Sequence, residues 1–442
     1  MSIAPVATPA FSANRPHGQV SGKLVTAVQL IALGVTIATW TLSASADRTA
    51  VSSAVLRRPW PLESLPEIPP PKPVPSLYDD PAMVSDEQLA AVLKKLIPRF
   101  SQSQLRPNLI EHALRTWGSE IRFGADDTIS GPELATFLTD SAKHLQSWNH
   151  RVTPLLVDTG LGVHVRFSED AAGSVHHDHA LAALTESGLP LEAPVFTTSR
   201  ALHLRDVLQE ALRDFRPDER ETEWSAMAFT LWLASPEITS WHTAEGRLVT
   251  LDLLARRLIR SHKRGGVCLG THRIYTLMLM LRLNAEHSGK LLQPDTVIAT
   301  EAYLADIRDR ITASQWPDGS WNSNWVDGAD CFKLTDAQEK ASKRVIATGH
   351  HLEWLALAPE HLHPPRSQVL KAAEWLVQNV SQTPQQEIDQ NFTFYSHVGK
   401  ALALWRGTSP AEFWSRWVTL HPEDARLEPL APPANSKPAA DH

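Results

Sequence analysis

The sequence predicts an all-α protein: a body of repeated helical hairpins behind one N-terminal transmembrane or signal segment. Three observations carry that prediction. Between Lys23 and Asp47 runs "LVTAVQLIALGVTIATWTLSASA", without a charged residue. From Leu77 onward apolar residues recur at i, i+3, i+4 spacing, the mark of one buried helical face, while alternating strand patterns are scarce. Three apolar segments further along share one phase, each opened by a histidine.

The chain has 442 residues, enough for one large domain or two ordinary ones. A net charge of -7 without any long basic run excludes a nucleic-acid footprint. Two cysteines, Cys268 and Cys331, do not make a disulfide framework.

Residues 1–23 are expected as a cytoplasmic tail, because Arg15 and Lys23 precede the apolar stretch with no acid before them. Residues 24–46 form the transmembrane anchor or signal segment, since about 20 apolar residues cross a bilayer core as a helix. The closing "ASA" before Asp47 also suits signal-peptidase cleavage. The body is therefore expected outside the cytoplasm, on a single-pass anchor or secreted after cleavage. Residues 47–76 include "RRPWPLESLPEIPPPKPVPS", a proline-rich linker stiffened by polyproline geometry. Residues 77–420 make the helical body, and 421–442 a disordered tail.

Within the body, "SDEQLAAVLKKLI" opens on Ser85 as an N-cap and keeps helical spacing. "GPELATFLTDSAKHL", "ALHLRDVLQEALRDF", "EWSAMAFTLWL" and "LVTLDLLARRLIRSH" continue it, so near-total helix is expected from Ser85 to Gly407. One short exception is "LLVDTGLGVHVRF", where Val163, Val165 and Phe167 alternate with polar residues as in a hairpin. The repeat lies in "THRIYTLMLML", "GHHLEWLALAP" and "SHVGKALALWR". In each, a histidine (His272, His350, His397) is followed by Leu at +5 and +7. Each follows an amphipathic helix, over 248–262, 297–313 and 368–380 respectively. The amphipathic partner belongs outside and the apolar partner inside. The pair 201–215 with 223–233 reads as a further copy without the histidine. Inner helices are expected to start near His272, His350 and His397.

The stretch "SQWPDGSWNSNW" places three indoles around a Pro-Asp-Gly turn. With Gln315, Asp318, Gly319 and Trp321 it resembles the QW motif of the squalene–hopene cyclase and prenyltransferase repeat family. The resemblance spans about Arg247 to Gly407 and implies an α/α toroid, with these four residues in structural roles and the indoles fastening one hairpin to the next. The acidic DxDD and DDxxD motifs of that family's chemistry are absent. What the resemblance implies is a central cavity for a lipid-like or glycan ligand.

His272, His350, Glu353 and His397 are the candidate catalytic residues. His350 and Glu353 lie three apart and share a helical face, where they can divide acid and base work or fix a tautomer. The ordinary alternative for each histidine is a helix cap. "GHHLEW" also resembles the GHxxEW phrase of N-acylglucosamine 2-epimerases, α/α barrels in which such a His and Glu line the sugar site; His397 takes the place of a further catalytic His. Cys268, Cys331 and His350 are the candidate zinc ligands, by likeness to toroids that bind zinc through Cys and His. A Cys268–Cys331 disulfide is the competing reading. "HHDH" (His176, His177, Asp178, His179) is the densest metal-like cluster and opens a helix, so a polar first turn is the favoured reading. Asp126, Ser130 and Glu133 resemble the back half of a calcium loop whose first ligands are missing. A non-catalytic scaffold remains the alternative to an enzyme.

Overall fold

The computed structural model describes residues 22–427 apart from 57–59, 63–64, 72, 126, 220, 236–237, 239, 262–265 and 335–338. Most of the expected N-terminal and C-terminal tails therefore lies outside the described residues. The chain divides into two compact units, Met1–Trp60 and Pro61–His442.

In the first unit, helix α1 (Gly22–Leu42) exposes its apolar side chains. Its Lys23–Leu42 span has a mean hydropathy of 1.7 and is long and apolar enough to cross a membrane. The Thr36 and Thr39 hydroxyls donate to carbonyls four residues earlier, both at 2.8 Å, so the polar groups are satisfied inside the helix. Helix α2 (Ser45–Leu56) occupies the start of the expected linker, which is thus not proline-rich coil throughout.

The second unit begins earlier than expected, because the proline-rich stretch lies on the body. Leu65 and Ile68 pack against the core, and Val74 is buried. The Ser76 hydroxyl donates to the Ala356 carbonyl at 3.0 Å, and Tyr78 stacks on Trp405. The stretch is a strap on the helices rather than a free spacer.

The body proceeds in pairs. Helices α3 (Asp86–Lys95) and α4 (Pro107–Trp117) come first, followed by α5 (Gly131–Thr139), α6 (Ser141–Ser147) and α7 (His179–Glu186). Then α8 (Leu204–Asp214) precedes α9 (Glu223–Leu233), and α10 (Leu251–Arg260) precedes α11 (Thr271–Glu286). Helix α12 (Pro294–Ser314) leads through the short α13 (Cys331–Leu334) to α14 (Ala341–Leu355). Helix α15 (Arg366–Gln382) leads through α16 (Gln385–Gln390) to α17 (Phe392–Trp405), and α18 (Pro410–Leu420) closes the helical part. Helices α9, α11, α14 and α17 are buried over most of their residues, whereas α10, α12 and α15 bury one face. The split follows composition: Lys, Arg, Glu and Asp mark the solvent side of the outer helices.

The inner helices contact one another in a cyclic order. Helix α4 packs on α7, α7 on α9, α9 on α11, α11 on α14, α14 on α17, and α17 returns to α4. On the outside, α15 meets α3, and the Lys95 ammonium donates to the Val380 and Thr383 carbonyls, both at 2.8 Å. The end of the body is thereby tied to its beginning.

Three expectations are corrected. Helix is not near-total, because among the described residues three two-stranded antiparallel hairpins interrupt it. The first, β1 (Leu156–Asp158) with β2 (Val163–Val165), pairs Leu156 with Val165 and sits where alternation predicts it. The others are β3 (Pro194–Phe196) with β4 (Ala201–His203), and β5 (Ser240–His242) with β6 (Leu248–Thr250). There the first three residues of two expected helices are strands. Thr250, whose side chain accepts from the Leu253 N–H at 3.0 Å, marks where the second of those helices begins. Secondly, α11 does start beside His272, but α14 starts at Ala341, well before His350, and His397 lies inside α17. Thirdly, the expected tail from residue 421 opens with an ordered turn. Asp424 accepts from Lys94 at 2.8 Å and from the Trp417 indole at 2.9 Å.

Indoles fasten the hairpins. The Trp117 indole donates to the Leu96 carbonyl at the end of α3, Trp241 to Leu212 in α8, and Trp405 to Leu352 in α14. Trp321 is fully buried and donates to the Ile311 carbonyl at 2.7 Å, while Gln315 donates to the Gly319 and Gln368 carbonyls at 2.8 and 2.7 Å. Gln315 thus links the turn after α12 to α15. Gly319, at φ 101°, passes so close to α15 that a Cβ would stand 2.4 Å from the Lys371 carbonyl oxygen. Asp318 accepts from Arg344 of α14. Trp325 is buried edge-on to His351, and Trp316 packs on Phe332.

Candidate functional site

Six aromatic rings, one from each inner helix, meet in the middle of the body. Centroids lie 4.9 Å apart from His112 to His179, 4.0 Å from His179 to Trp224, and 4.1 Å from Trp224 to His272. They continue at 4.6 Å from His272 to His350, 3.6 Å from His350 to His397, and 5.3 Å from His397 back to His112. Every one of these residues is buried. His272, His350 and His397 therefore come together, although not as three helix starts.

The missed members are His112, His179 and Trp224. Trp224 stands in the hairpin that lacks the histidine, and its indole fills that place in the ring. A second layer follows one helical turn on. Three residues after His112, His272, His350 and His397 come Arg115, Tyr275, Glu353 and Lys400, and α7 adds Glu186. A three-residue step keeps the same helical face, so each helix presents a ring and then a polar group inward.

The second layer is an ion network. Arg115 pairs with Glu186 and stands 3.6 Å from Glu353. The Lys400 ammonium lies 2.7 Å from Glu186 and 3.4 Å from Glu353. The Tyr275 hydroxyl donates to Glu186 at 2.9 Å. Burial alone would raise the Glu186 carboxyl, but Arg115 and Lys400 hold it below the usual carboxylate range. Burial, with Glu186 beside it, keeps the Tyr275 phenol well above its ordinary value, so it remains a donor.

Glu353 couples the layers, for its Oε2 accepts from His397 Nδ1 at 2.9 Å. That bond fixes the tautomer and leaves the buried Nε2 of His397 as an acceptor without a hydrogen-bond partner among the described residues. His350 Nε2 and His272 Nε2 share a hydrogen bond at 3.0 Å. His112 Nδ1 donates to the Asn108 carbonyl at 2.8 Å, and Glu111 stands 2.7 Å from His179 Nδ1. Burial, above all, holds all five ring histidines well below the ordinary imidazole pKa, reinforced by neighbouring cationic groups. Burial also raises the Glu111 carboxyl to about 7.

The second layer faces a cavity of about 350 Å³, bordered by Arg115, Glu186, Tyr275 and Lys400. Trp117, Leu231, Leu279 and Leu404 supply apolar wall, and Pro71, Pro73 and Val74 of the strap also line it. The size falls at the lower end of the range for small-molecule sites.

The candidate zinc ligands are divided. Cys268 Sγ lies within 4.8 Å of ligand atoms of His272 and His350, and a second such group is His350, Glu353 and His397. Cys331 belongs to neither: its thiol faces the Ser314 carbonyl at 3.6 Å, and neither cysteine is in a disulfide. Burial pushes the Cys268 thiol up to about 12, and a metal there would break the His272–His350 bond. Cys268 and Leu269 both adopt positive φ, 48° and 64°, at the entrance to α11, a strained backbone of the kind that gathers at functional sites.

The "HHDH" cluster disperses. His179 joins the ring, His176 Nδ1 meets Glu221 at 2.6 Å, and His177 turns outward to His164 and Asp214. Ser130 and Glu133 form the capping box of α5, which accounts for them without calcium, and Asp126 lies outside the described residues. No family model, curated protein or solved structure matches the chain.

Proposed function

We propose that the helical body is an α/α toroid that binds a small, uncharged, hydroxyl-rich ligand, a glycan fragment, in its axial cavity. On this reading α1 anchors the chain as a single-pass membrane protein with the body outside the cytoplasm. The toroid is supported by the cyclic order of inner-helix contacts, by the α3–α15 tie, and by the resemblance of "SQWPDGSW" to the repeats of squalene–hopene cyclases and prenyltransferases.

One observation carries the ligand reading: Arg115, Glu186, Tyr275 and Lys400, from four different helices, converge on one cavity. Buried ion pairs stabilise a core no better than well-packed apolar side chains of similar volume. Their retention around an open space therefore favours a ligand over a structural role. The cations Arg115 and Lys400 are offset by Glu186 and Glu353, so no net positive charge remains for a phosphate or diphosphate. Alternating donors and acceptors beside apolar walls match the hydroxyl edges and C–H faces of a sugar.

Thermal melting of the full chain in detergent, with a panel of neutral mono- and disaccharides, tests this. A saccharide at 100 times its Kd should stabilise the protein by about 2.7 kcal/mol, and Tyr275→Phe should lose that gain. A panel that leaves the wild type unmoved, with isoprenoid alcohols or anionic sugars shifting it instead, contradicts the reading.

A second reading, an acid–base enzyme of the sugar-epimerase kind, is favoured by the His397–Glu353 pair. Lys400 contacts the Glu353 carboxylate from the cavity side while His397 contacts it from the ring. Glu353 Oε1 is then the base that takes a proton from a ligand beside Lys400, while His397 Nδ1–H holds the carboxylate through its other oxygen. Solvent deuterium entering the bound sugar with wild type, and not with Glu353→Gln, is the expected result. Binding without exchange leaves only the binding function.

A further inference from the structure

We propose that the outer surface of the body carries a second site, for a divalent first-row transition metal, built from His164, His177 and Asp214. The three residues come from different elements: His164 from β2, His177 from the loop before α7, and Asp214 from the last turn of α8. One ligand atom from each lies within 4.8 Å of the others. His164 Nδ1 is 4.0 Å and His177 Nε2 is 3.9 Å from the same Asp214 oxygen. Metal bonds of about 2.0–2.2 Å place neighbouring donors somewhat over 3 Å apart, so side-chain movements of under an ångström close the set.

Two imidazoles and one carboxylate form the donor combination that suits iron(II), zinc and their neighbours, rather than calcium or magnesium, which prefer oxygen alone. Three protein donors leave at least one coordination position for water or a ligand. His164 and Asp214 are part-exposed, at 30% and 42% of their side chains, which gives that position access to solvent.

The surroundings of His177 separate this cluster from a chance surface grouping. Its side chain is only 7% exposed, and its Nδ1 stands 3.1 Å from a Glu219 oxygen. A carboxylate behind one ring nitrogen holds the proton there and turns the other nitrogen's lone pair towards a metal. The Phe167 ring, 4.9 Å away, closes one side of the imidazole. Glu219, Asp178 and Asp214 make the locality electronegative, with Asp178 held in turn by the Ser225 hydroxyl at 2.5 Å.

The test uses the untagged full chain in detergent, stripped with a chelator and titrated with cobalt(II) under d–d absorption, then with zinc by calorimetry. One equivalent is expected to bind. His164→Ala and Asp214→Asn, both at part-exposed positions and so compatible with folding, should abolish stoichiometric binding while leaving the melting profile unchanged. Glu219→Gln should weaken it about 10–100-fold, as loss of an outer-shell carboxylate does. His350→Gln should bind as the wild type does. No stoichiometric metal, or a metal retained by His164→Ala and Asp214→Asn but lost in His350→Gln or Cys268→Ser, overturns the proposal. The saccharide reading rests on other residues and stands or falls separately.

Discussion

Acidification should destabilise this protein well above the pH at which carboxylates titrate, and the ring of buried histidines sets the size of the effect. In the unfolded chain each imidazole titrates near 6.5. In the folded protein His112, His179, His272, His350 and His397 all have pKa values held well below that, with burial as the main cause. A group with a depressed folded pKa contributes stability that is present above the unfolded value and lost as pH falls below it. Between pH 7.5 and 5.5 each such histidine loses about 1.4 kcal/mol, so five lose about 7. His177 and Glu111 run the other way. Burial alone would lower His177, but Asp178 and Glu219 push it up to about 9, and burial raises Glu111 to about 7. Their stabilisation grows as pH falls and recovers roughly 3 kcal/mol by the same linkage. His351, which burial lowers to about 3, loses about a further 1.4 kcal/mol. These groups together lose about 5 kcal/mol, a large share of the roughly 5–15 kcal/mol that holds a domain together. Urea titrations at pH 7.5, 6.5 and 5.5, followed by tryptophan fluorescence, measure it directly. A folding free energy that stays level over that interval would refute the buried neutral ring.

Other changes have equally definite outcomes. Trp321→Ala empties a fully buried indole site and should cost about 3–5 kcal/mol in chemical denaturation; an unchanged midpoint would remove the indole from its fastening role. Gln315→Ala deletes two hydrogen bonds to backbone carbonyls and should cost about 1–3 kcal/mol, with hydrogen exchange rising first at the α12–α15 junction. Lys400→Met leaves Glu186 and Glu353 with less compensation and should destabilise by about 3–5 kcal/mol, while the double change Lys400→Met with Glu353→Gln should recover part of that loss. A periplasmic-type reporter fused after His442 should be active in a bacterial host; activity of a cytoplasmic reporter there would contradict the proposed topology.

Much of the helical body is legible in the sequence because outer and inner helices differ in composition, and three hairpins share one phase. His272, His350 and His397 are legible for a physical reason: equal register on helices packed side by side brings their side chains together. The helix starts were not legible, since capping and chain geometry fix them independently of that register. Helix α14 begins at Ala341 with two turns preceding His350, whereas α11 follows directly on a kinked Cys268–Leu269–Gly270 entrance. His112 and His179 stayed hidden because the first hairpins carry long insertions, including the stretch between α6 and α7 with its strands. A signal was present in "HALRTW" beside "HVGKAL", where a cation follows a histidine by three residues in each. Hairpins β3–β4 and β5–β6 were illegible because three-residue strands carry almost no periodicity. The charged cavity layer is illegible for another reason: Arg115, Glu186 and Lys400 read as solvent-facing residues in the sequence, and only the packing of the helices around them buries their side chains.

The proposed function is tested most directly by a structure of the protein with a saccharide bound, the ligand having been chosen for its effect on thermal melting. Density is expected in the cavity lined by Pro71, Pro73 and Tyr275, with sugar hydroxyls within hydrogen-bond distance of Glu186, Tyr275 and Lys400. Density seated elsewhere on the body, with that cavity collapsed or filled by protein side chains, would contradict it.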